Sequence, residues 1–188
     1  MPEDVQEARS SPAEVAEVFG AMPEYPSGHP VPGGSTPFRI ESPSFNQGAA
    51  IPRKHTCEAE NVSPELVWTD APAGTKSLAL VCEDPDAAMA PWVHWVIYAI
   101  PPSVRGLKPS QPTSEELPEG IMQGKNSGRR IGYSGPCPPP GKPHRYYFKL
   151  YALDAELPLG TGVEKKDLEK AMRGHILAQT EVMGLYSR

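Results

Sequence analysis

From residue 37 onward, apolar and polar positions mostly follow the two-residue period of β structure. "FRIESPSF" (38–45) alternates like a strand, and "LVWTDAP" (66–72) reads as a short strand ending in a turn. "SLALVCED" (77–84) and "WVHWVIYAIP" (92–101) are apolar runs of strand length, rich in Val, Ile and aromatics. The join between them, "DPDAAMAP", is short and turn-rich, so the two runs read as a close antiparallel pair. "HRYYFKLYALD" (144–154) alternates cleanly, with His144, Tyr146, Phe148 and Leu150 on one face and Arg145, Tyr147, Lys149 and Tyr151 on the other. "GYSGPCPPPGKP" (132–143) cannot be a regular strand, because its prolines supply no donors. Residues 102–131, polar with scattered Gly and Pro, read as a long surface loop.

The tail changes period. In "TGVEKKDLEKAMRGHILAQTEVMGLY" (161–186) apolar residues recur near the helical spacing. Thr161 and Glu164 match a capping box, and Gly184 matches a helix end. The expected architecture is mostly β, an antiparallel sandwich or Greek key closed by a C-terminal amphipathic helix. Residues 1–36 form a separate Pro-rich arm with one short helix expected over 11–20, where Ser11, Pro12 and Glu14 give start signals. Residues 37–188 form the folded domain.

Composition narrows the classes. Frequent Pro (24) and Gly (17) favour many turns around a compact core over a helical bundle. The net charge of −5 and the lack of a basic stripe argue against a nucleic-acid partner. No apolar run approaches the ~18 residues a membrane helix needs. The N-terminus lacks the basic-then-apolar form of a secretory signal, so the expected location is cytoplasmic. No Cys pair has zinc or thioredoxin spacing. Cys82 reads as a small core residue. Cys57 and Cys137, both in polar loops, are either unrelated thiols or a disulfide pinning two loops, which a reducing cytosol disfavours.

The candidate chemistry gathers around "CEDPDAAMAPWVHWVIYAI" (82–100), where Asp84 and Asp86 end one apolar run and His94 interrupts the next. Catalysis is weakly supported: Ser134 lacks the G-x-S-x-G frame, because Pro136 stands two positions after it. A metal site is weaker, since D-P-D lacks the ligand run of a calcium loop and there is no HxH or HExxH. No cofactor is indicated. An anion pocket fits best. Imidazoles on apolar strands are costly unless paired. Nearby carboxylates would hold them charged, Tyr146 can donate a hydroxyl in phase with His144, and Gly135 with its neighbours can present amides. His175 is expected to be a hydrogen-bonded core residue of the tail helix.

"SPSFNQGAAIPRKHTC", "SPELVWTDAPAGTKSLALVCEDPDA", "WVHWVIYAIP", "GYSGPCPPPGKPHRYYFKLYALD" and "GHILAQTEVMGLYSR", in this order from about Phe38 to Arg188, resemble the phosphatidylethanolamine-binding protein family, especially its bacterial and archaeal branch. The resemblance implies a β-sandwich with peripheral helices and a small anion pocket at one end. It implies no common enzyme chemistry. Asp84 then matches the first acid of the DPDAP motif, His94 the pocket histidine, Gly135 and Pro136 the GP loop, and His144 and Tyr146 the HRY strand. Asp86 matches a mainly structural acid, and Trp95 stands behind the pocket. The family motif ends in Pro where this chain has Ala88, at the expected rim. The implied function is non-enzymatic binding of a phosphate- or phosphorylethanolamine-like head group in a regulatory role. The alternatives are a serine-protease or kinase inhibitor acting through surface loops, with that enzyme as protein partner, and a cryptic hydrolase.

Overall fold

The computed structural model describes residues 37–89 and 91–188, and the arm over 1–36 with its expected helix at 11–20 lies outside the described residues. Eight strands and one α-helix follow in chain order: β1 (Ile40–Glu41), β2 (Leu66–Trp68), β3 (Ser77–Asp84), β4 (Trp92–Ile100), β5 (Gly106–Leu107), β6 (Met122–Gln123), β7 (His144–Leu153), α1 (Lys165–Met172) and β8 (Ile176–Tyr186). They make an antiparallel three-stranded sheet, β1-β2-β5, and an antiparallel five-stranded sheet, β6-β4-β3-β7-β8. Within the larger sheet β7 returns to lie beside β3, so β7-β3-β4-β6 carries the spatial order of a Greek key.

β3 is central, and all eight of its residues are buried. That is why its sequence is a continuous run instead of an alternation. On one face, Leu78, Leu80 and Cys82 join Trp95, Ile97, Tyr146, Phe148 and Leu150 in a core closed by Ile40, Leu66, Trp68 and Leu107 of the small sheet. On the other, Ala79, Val81, Val93, Val96 and Tyr98 pack against Leu168 and Met172 of α1. Glu83 reaches that second face, accepts Lys149 Nζ at 2.7 Å and is also paired with Lys165, which fastens α1 to the sheet.

The tail corrects the expected long helix. α1 covers only Lys165–Met172, and the segment continues as β8, the longest strand among the described residues. The helix begins at Glu164 without a side-chain cap, so the Thr161–Glu164 capping box does not form. Gly174, at φ +80°, turns the chain out of the helix. Beyond it Ala178, Thr180, Val182 and Gly184 alternate inward, and β-branched Ile176, Thr180 and Val182 suit the strand. Gly184 sits within β8, not at a helix end. A Cβ there would come within 2.5 Å of Ile51, so the strand needs glycine to lie against the 47–51 segment. His175 is exposed in the turn before β8 and hydrogen-bonds Asp154 at 2.8 Å, so it is no core residue.

The 102–131 segment is likewise more than a surface loop. It contributes β5 and β6, and buries Leu107, Leu117, Ile121, Gln123 and Asn126. Among the described residues, no helix is long and apolar enough to cross a membrane.

Candidate functional site: a pocket at the sheet end

At the end of β3 the ladder with β7 pairs Glu83 with Tyr147, and the ladder with β4 pairs Asp84 with Trp92. Asp84 is buried at 3% exposure and both its carboxylate oxygens are engaged. Oδ2 accepts the Nδ1–H of His144 at 2.8 Å, and Oδ1 accepts the backbone N–H of Asp86 at 2.7 Å. The second contact is the local turn that "DPD" favours. Asp86 is turned outward to Arg145, which donates from its backbone N, Nε and Nη2 at 2.9, 2.9 and 2.6 Å. The Arg145 guanidinium holds the Asp86 carboxyl down at about 2.

His94 owes its position to a β-bulge. Cys82 pairs with Trp95 and Glu83 with Val93, so His94 is the extra residue of β4. Simple alternation would put His94 and Trp95 on opposite faces. Instead Trp95 lies in the core that holds Tyr146, and the His94 ring meets the Tyr146 ring edge-on at 5.2 Å. Trp95 is fully buried and donates Nε1–H to Gln123 Oε1 at 2.7 Å, so it supports the site from behind. His94 Nδ1 donates to Ser134 O at 2.5 Å, and Ser134 N–H returns a bond to His94 O at 3.0 Å. Burial pulls the His94 imidazole below its ordinary value, against the pull of the Ser134 carbonyl and the nearby Asp84 carboxylate. The expectation that neighbouring carboxylates hold this ring charged is therefore corrected: desolvation outweighs them.

The proline-rich loop forms the facing wall. Gly135 is required by packing, since a Cβ would meet His55 O at 2.2 Å and Asn61 Oδ1 at 2.7 Å. Its N–H already donates to Asn61 Oδ1 at 2.8 Å, so that amide does not face a ligand as the sequence suggested. Pro136 does not line the cavity; its carbonyl accepts Cys57 N–H at 3.0 Å, behind the wall. Cys57 and Cys137 form a disulfide with Cα atoms 5.4 Å apart, joining the two loops at the pocket wall.

The resulting cavity measures about 530 Å³. Asp84, His94, Gly135, His144 and Tyr146 all line it, as do Asp86 and the Ala88 rim. Tyr146 OH is buried and makes no well-formed hydrogen bond among the described residues, with the Asp84 carboxylate as its nearby acceptor; burial and that carboxylate push its phenol further up, so it remains a donor. Sequence reasoning missed Trp92, Asn61 and Arg130 on the lining. Trp92 was visible as the first residue of a strand run, but Asn61 and Arg130 carry no local signal, because only the tertiary fold brings their loops here.

The fold and the site define a two-sheet β protein with a small polar-based pocket at one sheet end. A family model described as phosphatidylethanolamine-binding protein matches residues 41–187. A UPF0098 protein of Methanothermobacter thermautotrophicus is 48% identical over 151 residues, covering 80% of this chain and 99% of the relative. One from Aquifex aeolicus is 45% identical over 157 residues, covering 82% and 91%. Among solved structures, a phosphatidylethanolamine-binding protein homolog from Chlamydia trachomatis superposes with a TM-score of 0.73 at 39% identity, covering 80% of this chain and 97% of that one. Escherichia coli YbcL gives 0.76 at 32% identity, covering 81% and 99%. The chain belongs to the phosphatidylethanolamine-binding protein family.

Proposed function

We propose that the chain is a non-enzymatic binding protein whose pocket takes the phosphate of a small head group such as phosphorylethanolamine, in a regulatory role. The observation that carries this reading is the Tyr146 hydroxyl, a buried donor that makes no well-formed hydrogen bond among the described residues and lies beside an Asp84 carboxylate already engaged by His144 and Asp86. A buried polar group in that state calls for a ligand atom or water. It shares the cavity with His94 and His144, whose Nδ1 atoms are spent on Ser134 and Asp84. Their Nε2 atoms are left for a ligand. Among the described residues, no nucleophile–base pair accompanies them: Ser134 gives its carbonyl to His94, and its hydroxyl accepts from Arg130.

An NMR titration with phosphorylethanolamine tests the reading, with His175 as the internal control. Saturable shifts of the His94 and His144 ring signals, with His175 still, are the expected result. Unmoved rings at millimolar ligand would overturn it, and so would His94-dependent turnover of activated esters or phosphates. A cytoplasmic setting belongs to the same proposal, and trapping thiols with an alkylating agent in fresh extract tests it. Such surroundings disfavour disulfides, whereas the structure joins Cys57 to Cys137, so reduced thiols would support the cytoplasmic setting and a pair trapped oxidised would overturn it.

A further inference from the structure

The cavity has few sources of positive charge. Asp84 brings a carboxylate to its base, and Asp86 at the margin is matched by Arg145. Tyr146 is a neutral donor. His94 and His144 each commit one nitrogen to the protein. Among the described residues, the lining contains one Arg or Lys side chain, Arg130. Among the described residues, no ion pair involves Arg130.

Arg130 is held by a built turn. Asn126, buried at 5% exposure, accepts the Arg130 N–H on Oδ1 at 3.1 Å and donates its own N–H to Arg130 O at 2.9 Å. Its Nδ2 bonds Gly132 O at 3.1 Å. Ser127 ties the turn to β4 beside His94, exchanging bonds with Val93 at 2.9 Å in both directions. The guanidinium Nη2 then donates to Ser134 Oγ at 3.3 Å, while the carbonyl of the same Ser134 receives His94 Nδ1–H. Arg130 and His94 thus hang on one residue, the cation at the mouth and the imidazole at the base.

Given the anion-pocket reading above, on which this rests, we propose that Arg130 reads ligand charge and selects a terminal phosphomonoester over carboxylates and phosphodiesters. A monoester brings about −1.5 to −2 charges and three strong acceptor oxygens at neutral pH. Two of those oxygens suit a guanidinium fork while the third reaches the base of the pocket. A diester has one charge and only two free oxygens. A carboxylate also brings one charge and two oxygens, so neither fills both ends of the site. Two sources of one chemistry are thereby separated: a free phosphorylated head group is a monoester, whereas the same group within an intact phospholipid is a diester.

Calorimetric titration of the full chain with phosphorylethanolamine, glycerophosphoethanolamine, inorganic phosphate and acetate tests this. The native protein is expected to favour the monoester over the diester and acetate by about tenfold, or about 1.4 kcal/mol. R130Q removes most of that gap by weakening monoester and inorganic phosphate binding. It leaves the diester and acetate within about threefold, a shift of under about 0.7 kcal/mol. R130K falls between, because it restores the charge without the fork. Unchanged unfolding curves establish that both variants fold. A gap that survives R130Q, an equal loss for all four ligands, or a native preference for the diester overturns the role of Arg130 and leaves the anion pocket standing. A native protein that binds none of the four overturns the pocket reading and this inference with it.

Discussion

Asp84 and His144 are joined through Oδ2 and Nδ1 at 2.8 Å, with both side chains largely withdrawn from solvent. The carboxylate fixes the ring's orientation through Nδ1–H and leaves Nε2 to the cavity. Replacing Asp84 with Asn keeps an acceptor for Nδ1–H but removes the charge. Two effects then oppose. Asn holds the His144 ring less firmly, and it also removes a negative charge that repels an anion in the cavity. The expected net is a loss of phosphorylethanolamine affinity of at least about tenfold. Calorimetry on Asp84→Asn checks it; unchanged or tighter binding would show that repulsion of the anion outweighs the orientation of the His144 ring.

His94 leads to a pH prediction. Its Nδ1–H goes to Ser134, and burial favours the neutral ring, so the free nitrogen carries a lone pair near neutral pH. An anion binds there only if that nitrogen gains a proton. Ligand binding should therefore raise the His94 pKa and take up protons. Affinity should climb as pH falls from 8 toward 6, a window set by the ring's ordinary value of about 6.5 and its downward shift. Titrations in two buffers of different ionisation enthalpy measure the uptake, and ring 15N shifts identify the atom. Proton release, or an 15N spectrum unchanged by ligand, would contradict it.

Much of this was legible in the chain. The strands β3, β4 and β7 stood out as apolar or alternating runs, and they position Asp84, His94, His144 and Tyr146. What could not be read came from tertiary contacts. The bulge at His94 changes facing without changing composition. The Gly135 amide turns from donor for a ligand to donor for Asn61 because another loop lies against it. The tail misleads because "DLEKAM" is truly helical and Ile176, Val182 and Met183 continue the spacing by coincidence. Only pairing with β7 makes "ILAQTEV" a strand. The minor strands β5 and β6 are two residues each, too short to leave a periodic trace.

Asp86 and Arg145 predict a pH effect on stability. The Asp86 carboxyl titrates at about 2 in the fold, against about 3.9 in the unfolded chain. A depressed folded value adds stability that is fully present above the unfolded value and is lost as pH falls through the folded one. The pair is half-exposed, so its worth is about 1 kcal/mol or less. In urea unfolding Asp86→Asn should therefore be less stable than the native chain by that amount at pH 7. The difference should shrink between pH 4 and 2. A constant difference across that range would assign the loss to the hydrogen bonds of the turn and not to the charge.

The Cys57–Cys137 disulfide should matter more for stability than for binding. It closes a separation of 80 residues, which constrains the unfolded chain strongly. Removing such a bond costs about 2–4 kcal/mol. The two loops keep other ties: Cys57 N–H to Pro136 O at 3.0 Å, Gly135 N–H to Asn61 Oδ1 at 2.8 Å and Tyr133 OH to His55 O at 2.8 Å. These hold the wall once the chain is folded. Reduction by a dithiol, or Cys57→Ser with Cys137→Ser, should lower the urea midpoint clearly. Phosphorylethanolamine affinity at a temperature well below unfolding should stay within about threefold, or about 0.7 kcal/mol. A large loss of affinity in a variant that remains folded would mean that the covalent link, and not the hydrogen bonds beside it, sets the width of the pocket.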